Sequence, residues 1–301
     1  MMSWLLMAKI LPSFWIGDPP STGVPSTEPV CWDVKIGNKH IGWAVSQWVP
    51  GASESAEIHS RIVVEKLPID QIVPFDRVAP RWTVALLNRT SSLRLDMRSR
   101  TTLDALDQLA MFETKVQVNE LPTPFYVQGR VRGGVLDMRS QFGDQVHRFD
   151  YPWNRNAILG SELMPDAKLM QVYVGRKWQR EVYNPLMGDK GPSELIEAEV
   201  VEEEQIFFHG ELISTRRIEY RSVNADGVSS NNRRRARLWV AEDGTVLREE
   251  LVLMDMALTF DRVPAEQAEQ LAAELLDLEH HATLAPEGSH GRRWRRGRDN
   301  R

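Results

Sequence analysis

Apolar and polar residues alternate in short runs from Trp32 to Val263, and tight glycine turns separate the runs. The clearest unit is FYVQGRV-RGG-VLDMRSQ, residues 125–141. A two-residue turn at Gly133-Gly134 needs φ > 0, which glycine adopts at no steric cost. Val127, Gly129 and Val131 then share a face with Leu136 and Met138, and Arg130 falls opposite Asp137. One apolar and one wet face is the pattern of an antiparallel sheet with one buried side.

The same rhythm predicts a hairpin over 32–48 around Gly37-Asn38-Lys39, then strands over 58–67, 82–87 and 92–99. Residues 68–80 form a Pro-punctuated connection. Residues 101–119 read two ways. Leu103, Leu106, Leu109 and Phe112 sit three apart, as on a helix, yet the flanking hairpins favour two strands turning near Asp107-Gln108. Further strands are predicted at 146–151, 173–183 (interrupted by Gly175), 195–208, 211–223, 235–241 and 245–253. Asp243-Gly244 is the strongest two-residue turn. It sets Arg237 against Glu250 and Trp239 against Arg248, and turns Leu238, Val240, Leu247 and Leu251 to the core. Glu249 is the exception on that core-facing side.

PAEQAEQLAAELLDLEHH then changes to a helical period. Pro264 suits its start, and Glu266 and Glu269 suit the positive end of the dipole. Leu271, Leu275 and Leu278 with Ala268 and Ala272 make one apolar stripe. The expected fold is mainly β: a strongly curved antiparallel sheet, half-barrel or sandwich-like, of consecutive hairpins with one C-terminal amphipathic helix.

The ends of the chain differ from this body. Residues 1–17 are an apolar leader or anchor, and 18–31 a Pro/Ser/Thr-rich tether that cannot bury enough surface to fold. The β domain runs over 32–263, the helix over 264–284, and a disordered basic tail over 285–301. The 301-residue chain carries −5, while residues 292–301 hold six Arg and one Asp, so the rest is near −10. An acidic body does not match a nucleic-acid binder. The tail, through Arg292, Arg293, Arg295 and Arg296, fits an anionic membrane surface. With Cys31 as its one cysteine, the chain forms no intrachain disulfide.

IGNKHIGWA, G-R-K-W-x-x-x-V-Y-N-P at 175–185 and LWVAEDGTVLREE at 238–250 resemble stretches of an uncharacterised class of bacterial envelope β domains. That class is similar to the half-barrel superfamily of outer-membrane lipoprotein carriers, and like stretches precede transglutaminase-like domains. The resemblance covers about residues 32–263. It implies a curved sheet around an apolar concavity and supplies no active-site residues. No lipobox precedes Cys31.

No HExxH, CxxC, GxSxG or GxxxxGK[ST] occurs. Cys31-Trp32 runs into a strand, whereas an activated cysteine opens a helix. His280 and His281 point about 100° apart on a helix and do not converge on one metal. The expectation is a non-enzymatic domain without cofactor or metal, periplasmic and tethered to the envelope. It binds an apolar or amphipathic small molecule, lipid-like in chemistry, or an envelope protein. Trp43, Trp178, Trp239, Met97 and Met138 are the expected concave lining. The rivals are a hydrolase without a recognisable motif and a structural adaptor working through sheet edges.

Overall fold

A computed structural model of the chain describes residues 17–20, 27–51, 55–68, 92–118, 121–154, 157–159, 165–183, 193–223, 229–253 and 256–276. The leader over 1–16, part of the tether, the expected strand over 82–87, His280-His281 and the basic tail lie outside the described residues. So does the end of the helix expected over 264–284.

Fifteen strands form one sheet. They are β1 (Val30–Ile36), β2 (Lys39–Pro50), β3 (Ala56–Pro68), β4 (Ser92–Leu103), β5 (Leu109–Val118), β6 (Phe125–Arg132), β7 (Val135–Phe142) and β8 (Gln145–Pro152). There follow β9 (Ile158–Leu159), β10 (Lys177–Tyr183), β11 (Ser193–Phe208), β12 (Glu211–Val223), β13 (Ser229–Ala241), β14 (Val246–Leu253) and β15 (Met256–Arg262). The order is β8 down to β1, then β15 down to β9. Two meanders therefore meet where the first strand pairs with the last, Trp32 opposite Arg262 and Val34 opposite Phe260. Neighbours are antiparallel except β9 and β10. The protein is mainly β, and β8 and β9 remain as the ends of the sheet.

The hairpins match the sequence pattern. Arg130 lies opposite Asp137, Arg237 opposite Glu250 and Trp239 opposite Arg248. Of residues 101–119, the described 101–118 lie in the β4–β5 hairpin, with Asp107 at φ 55° in its turn and Leu106 exposed there. The expected strand over 173–183 begins only at Lys177, because Val172–Arg176 turns and hydrogen-bonds to Val200. Leu247 is corrected as well. A bulge between Trp239 and Val240 shifts it to the face of Trp239, where it packs with Ile206 and Phe208.

The two faces are distinct. Trp32, Val34, Ala44, Ile62, Met97, Val118, Trp178, Ala198, Ile218, Leu238 and Phe260 converge from nearly every strand on one core, which defines the concave side. Phe112, Val127, Leu136 and Met138 continue that side across β5–β7. Phe112 lies so close to β6 that a Cβ at Gly129 would stand 2.3 Å from its ring.

The helix α1 (Ala265–Leu275) carries the apolar stripe read in the sequence, but that stripe does not cover the concave side. It packs on the convex side instead, where Ala268, Ala272 and Leu276 cover Cys31, Val45 and Val263. Arg61 holds its end: Nη1 donates to Leu275 O at 3.0 Å, while Nε donates to Asp96 at 2.9 Å. A cation at a helix C-terminus is favourable.

The convex face also carries an ion ladder. Lys177–Glu199, Glu199–Arg221, Glu219–Arg237, Arg237–Glu250, Arg248–Asp261 and Asp261–Lys35 link successive strands from β10 to β1, with Arg221–Glu219 joining two of them along β12. The acidic run Glu202-Glu203-Glu204 is matched across β12 by Arg216 and Arg217.

Candidate functional site on the concave face

The five residues expected to line one concavity divide between the faces. Trp178 (1% exposed), Met97 (5%) and Met138 (1%) are concave but closed within the core. Trp43 and Trp239 are convex. Trp43 packs against α1 and borders a cleft of about 220 Å³ with Asp33, Lys35, His209, Asp261 and Gln267. Trp239 lies between the guanidiniums of Arg237 and Arg248, 5.5 and 6.0 Å from its ring centre, and its Nε1 donates to Glu204 at 3.1 Å. Strand alternation separates two faces but does not say which is concave, and this is why the set divides.

Glu249, the exception in the sequence pattern, belongs to the concave side. Its ladder neighbours are Leu238 and Phe260, both core residues. Two further polar groups share that side. Tyr220 on β12 lies between Ala198 and Ala236, and Arg180 on β10 stands two residues beyond Trp178. Alanines flank Tyr220 on both sides, while Arg180 stands opposite Ile196 and Glu249 opposite Leu238. The segment 165–176 crosses this end of the sheet, anchored by Leu169 N to Gly244 O and Val246 N to Ala167 O, and it brings in Asp166.

Tyr220 is the centre of the group. Burial pushes its hydroxyl pKa up; the fields of Asp166 and Glu249 add to that, and Arg180 opposes it. Burial, with the field of Asp166, pushes Glu249 up to about 8. Burial raises Asp166 too, against the pull of Arg180. All four side chains are only partly buried. An ion pair of Arg235 with Glu194, joined by Ser222, borders the group. The arrangement is a polar spot beside the apolar core, able to donate from Tyr220 and Arg180 and to accept at the carboxyls.

The sheet ends make a second feature. Along the concave side of β8 the rings of His147, Phe149 and Tyr151 follow one another at 6.3 and 5.9 Å with planes within 20°. Tyr151 then meets Tyr183 of β10 edge-on at 5.1 Å, and Trp153 meets Tyr183 at 5.7 Å. Tyr183 shares its side of β10 with Lys177, the convex side. The convex side of β10 therefore faces the concave side of β8, and the sheet rolls past closure like a scroll. Sequence reasoning missed Tyr183, Tyr151 and Phe149. The alternation in QVHRFDYPW carried their common face, but not what lay across from it.

Cys31 has no nucleophile's environment. It lies on the convex side under α1, its Sγ donates to Ala268 O at 3.3 Å, and burial pushes its thiol up to about 12. His40 is engaged with Asp33 at 2.5 Å. Among the described residues no group of three or more His, Cys, Asp or Glu is arranged to hold a metal. None of the described helices is long and apolar enough to cross a membrane.

No family model matches the chain, and no curated protein matches it. Among solved structures, a beta-barrel-like protein of the domain of unknown function DUF1849 from Brucella abortus is similar over 80% of this chain and 96% of its own, at 12% identity and TM-score 0.48. A DUF1089 family protein from Pseudomonas aeruginosa is similar over 70% of this chain and 89% of its own, at 13% identity and TM-score 0.35.

Proposed function

We propose that the protein is a non-enzymatic binding domain that takes an apolar or amphipathic ligand on its concave face. One observation carries this reading: the polar group of Arg180, Tyr220, Glu249 and Asp166, partly open, set beside the apolar core of the concave side. A buried polar group without a partner is costly. A ligand with an apolar body and one polar end answers both parts. That end would sit at Tyr220, whose neighbours on both strands are the small side chains Ala198 and Ala236.

The proposal includes an envelope location. It is supported by the apolar residues 1–17 followed by the tether over 18–31, and by Arg292, Arg293, Arg295 and Arg296 as a contact for anionic lipid. Lipoprotein-carrier-like binding of a lipid is the narrower form of the same proposal.

Native mass spectrometry of the full chain purified from its own host tests it. A retained species that disappears on denaturation, and is absent from an Ala198→Leu/Ala236→Leu variant, is the expected result. A retained species present equally in that variant would put the ligand elsewhere.

A further inference from the structure

We propose that the seam between β8 and β10 is a second binding site, for a flat apolar molecule carrying one hydrogen-bond acceptor, which Tyr183 recognises. The site is separate from the polar group around Tyr220.

Three observations support it. Tyr183 is 2% exposed, and its hydroxyl has no hydrogen-bond partner among the described residues. Its surroundings are Phe112, Leu136, Met138 and Trp153, with Phe149 and Tyr151 only partly buried beside them. No ladder bonds join β8 to β10, and the rings of Tyr151 and Trp153 meet Tyr183 across the seam.

A buried hydroxyl without an acceptor costs more than a well-made hydrogen bond returns, so it is a standing demand for an acceptor. Trp32 Nε1 also lacks a partner, but Trp32 is wholly enclosed in the core under Arg262. Tyr183 differs in having partly exposed rings as its neighbours. Aromatic faces take a flat apolar molecule by stacking. The seam can admit one by parting side-chain contacts, with no backbone ladder to break. Burial keeps the Tyr183 hydroxyl protonated. It therefore donates, and the complementary group is an acceptor such as a carbonyl oxygen.

Two probes test this: 6-propionyl-2-(dimethylamino)naphthalene, a flat aromatic ketone, and 2-(dimethylamino)naphthalene, the same ring system without the carbonyl. Both are titrated into the full chain carrying Ala236→Leu, which puts a larger side chain beside Tyr220, and into the same chain with Tyr183→Phe added. The first protein should prefer the ketone about tenfold. With Tyr183→Phe the preference should vanish, the plain naphthalene should bind as before, and the melting temperature should hold or rise. A preference untouched by Tyr183→Phe, or no binding of either probe, would overturn the proposal. So would a melting temperature lowered by several degrees, because the hydroxyl would then have a structural partner. The parent reading fails separately, by loss of its own ligand signal in wild-type protein.

Discussion

Glu249 stands opposite Phe260 across the β14–β15 ladder, on the concave side of the sheet. A carboxyl in that position has no neutralising partner among the groups acting on it, for Asp166 repels it and burial penalises its charge. The contrast with Glu250 is direct. One residue further on, Glu250 faces the other way and meets Arg237 in the ion ladder.

Stability should therefore fall as the pH rises. Glu249 is raised from 4.5 to about 8 in the folded protein. Between those values the native state holds a proton that the unfolded state has lost, so stability decreases through the window and levels off above about pH 8. Glu249→Gln should match the wild type near pH 4.5 and exceed it at pH 9 by about 2 kcal/mol, a figure discounted for partial exposure. Denaturant melts at the two pH values measure this. A constant difference would mean that Glu249 is not held neutral.

Asp261 works in the opposite sense. Burial raises its carboxyl, but the bonds from Arg248 and Lys35 outweigh that and hold it low. Its contribution is present above the ordinary carboxylate range and is lost as the pH falls through its folded value. Asp261→Asn should cost about 2 kcal/mol at pH 7, because two cations lose their shared partner. The cost should shrink in acid, as melts at pH 7 and pH 3 would show.

Cys31 should be inert. With its thiol at about 12 and covered by α1, it should react with a disulfide reagent at pH 8 only as fast as the protein opens. Ala272→Asp puts a charge under the helix and should raise the labelling rate at least tenfold. Fast labelling of the wild type would mean that α1 does not dock.

Gly244→Val should destabilise by about 2 kcal/mol or more. Gly244 sits at φ 89°, and a Cβ there would stand 2.5 Å from Leu169 O. The crossing segment therefore adds to the turn strain. Gly143→Val, at φ 56° with nothing within 4 Å of a Cβ, should cost less. Thermal melts of the two variants give the ranking.

Local chemistry made much of the fold legible. Gly133-Gly134 fixes its register because a two-residue turn leaves one pairing for the strands it joins. At Asp243-Gly244 the loop takes three residues, with Ala241 N donating to Thr245 O, and the bulge after Trp239 restores the pairing expected of a two-residue turn. Pro264 marks the helix start because it closes off a backbone donor. The pairing of Trp32 with Arg262 was not legible, since its partners are separated by almost the whole β domain and no turn connects them. The scroll contact of Tyr151 with Tyr183 was hidden for the same reason. Trp43 and Trp239 misled because apolar rings serve either face: one lies under a helix and the other between two arginines. Glu249 was visible as a misfit, and its place beside Tyr220 became apparent only with the sheet assembled.

The central claim is that the concave face takes an amphipathic ligand beside Tyr220. Its most direct test is titration of the full chain with 11-(dansylamino)undecanoic acid. The account predicts saturable, blue-shifted binding by the wild type. It predicts at least tenfold weaker binding by Ala198→Leu/Ala236→Leu at a pH where both proteins are folded. No saturable uptake by the wild type, or equal uptake by both, would contradict it.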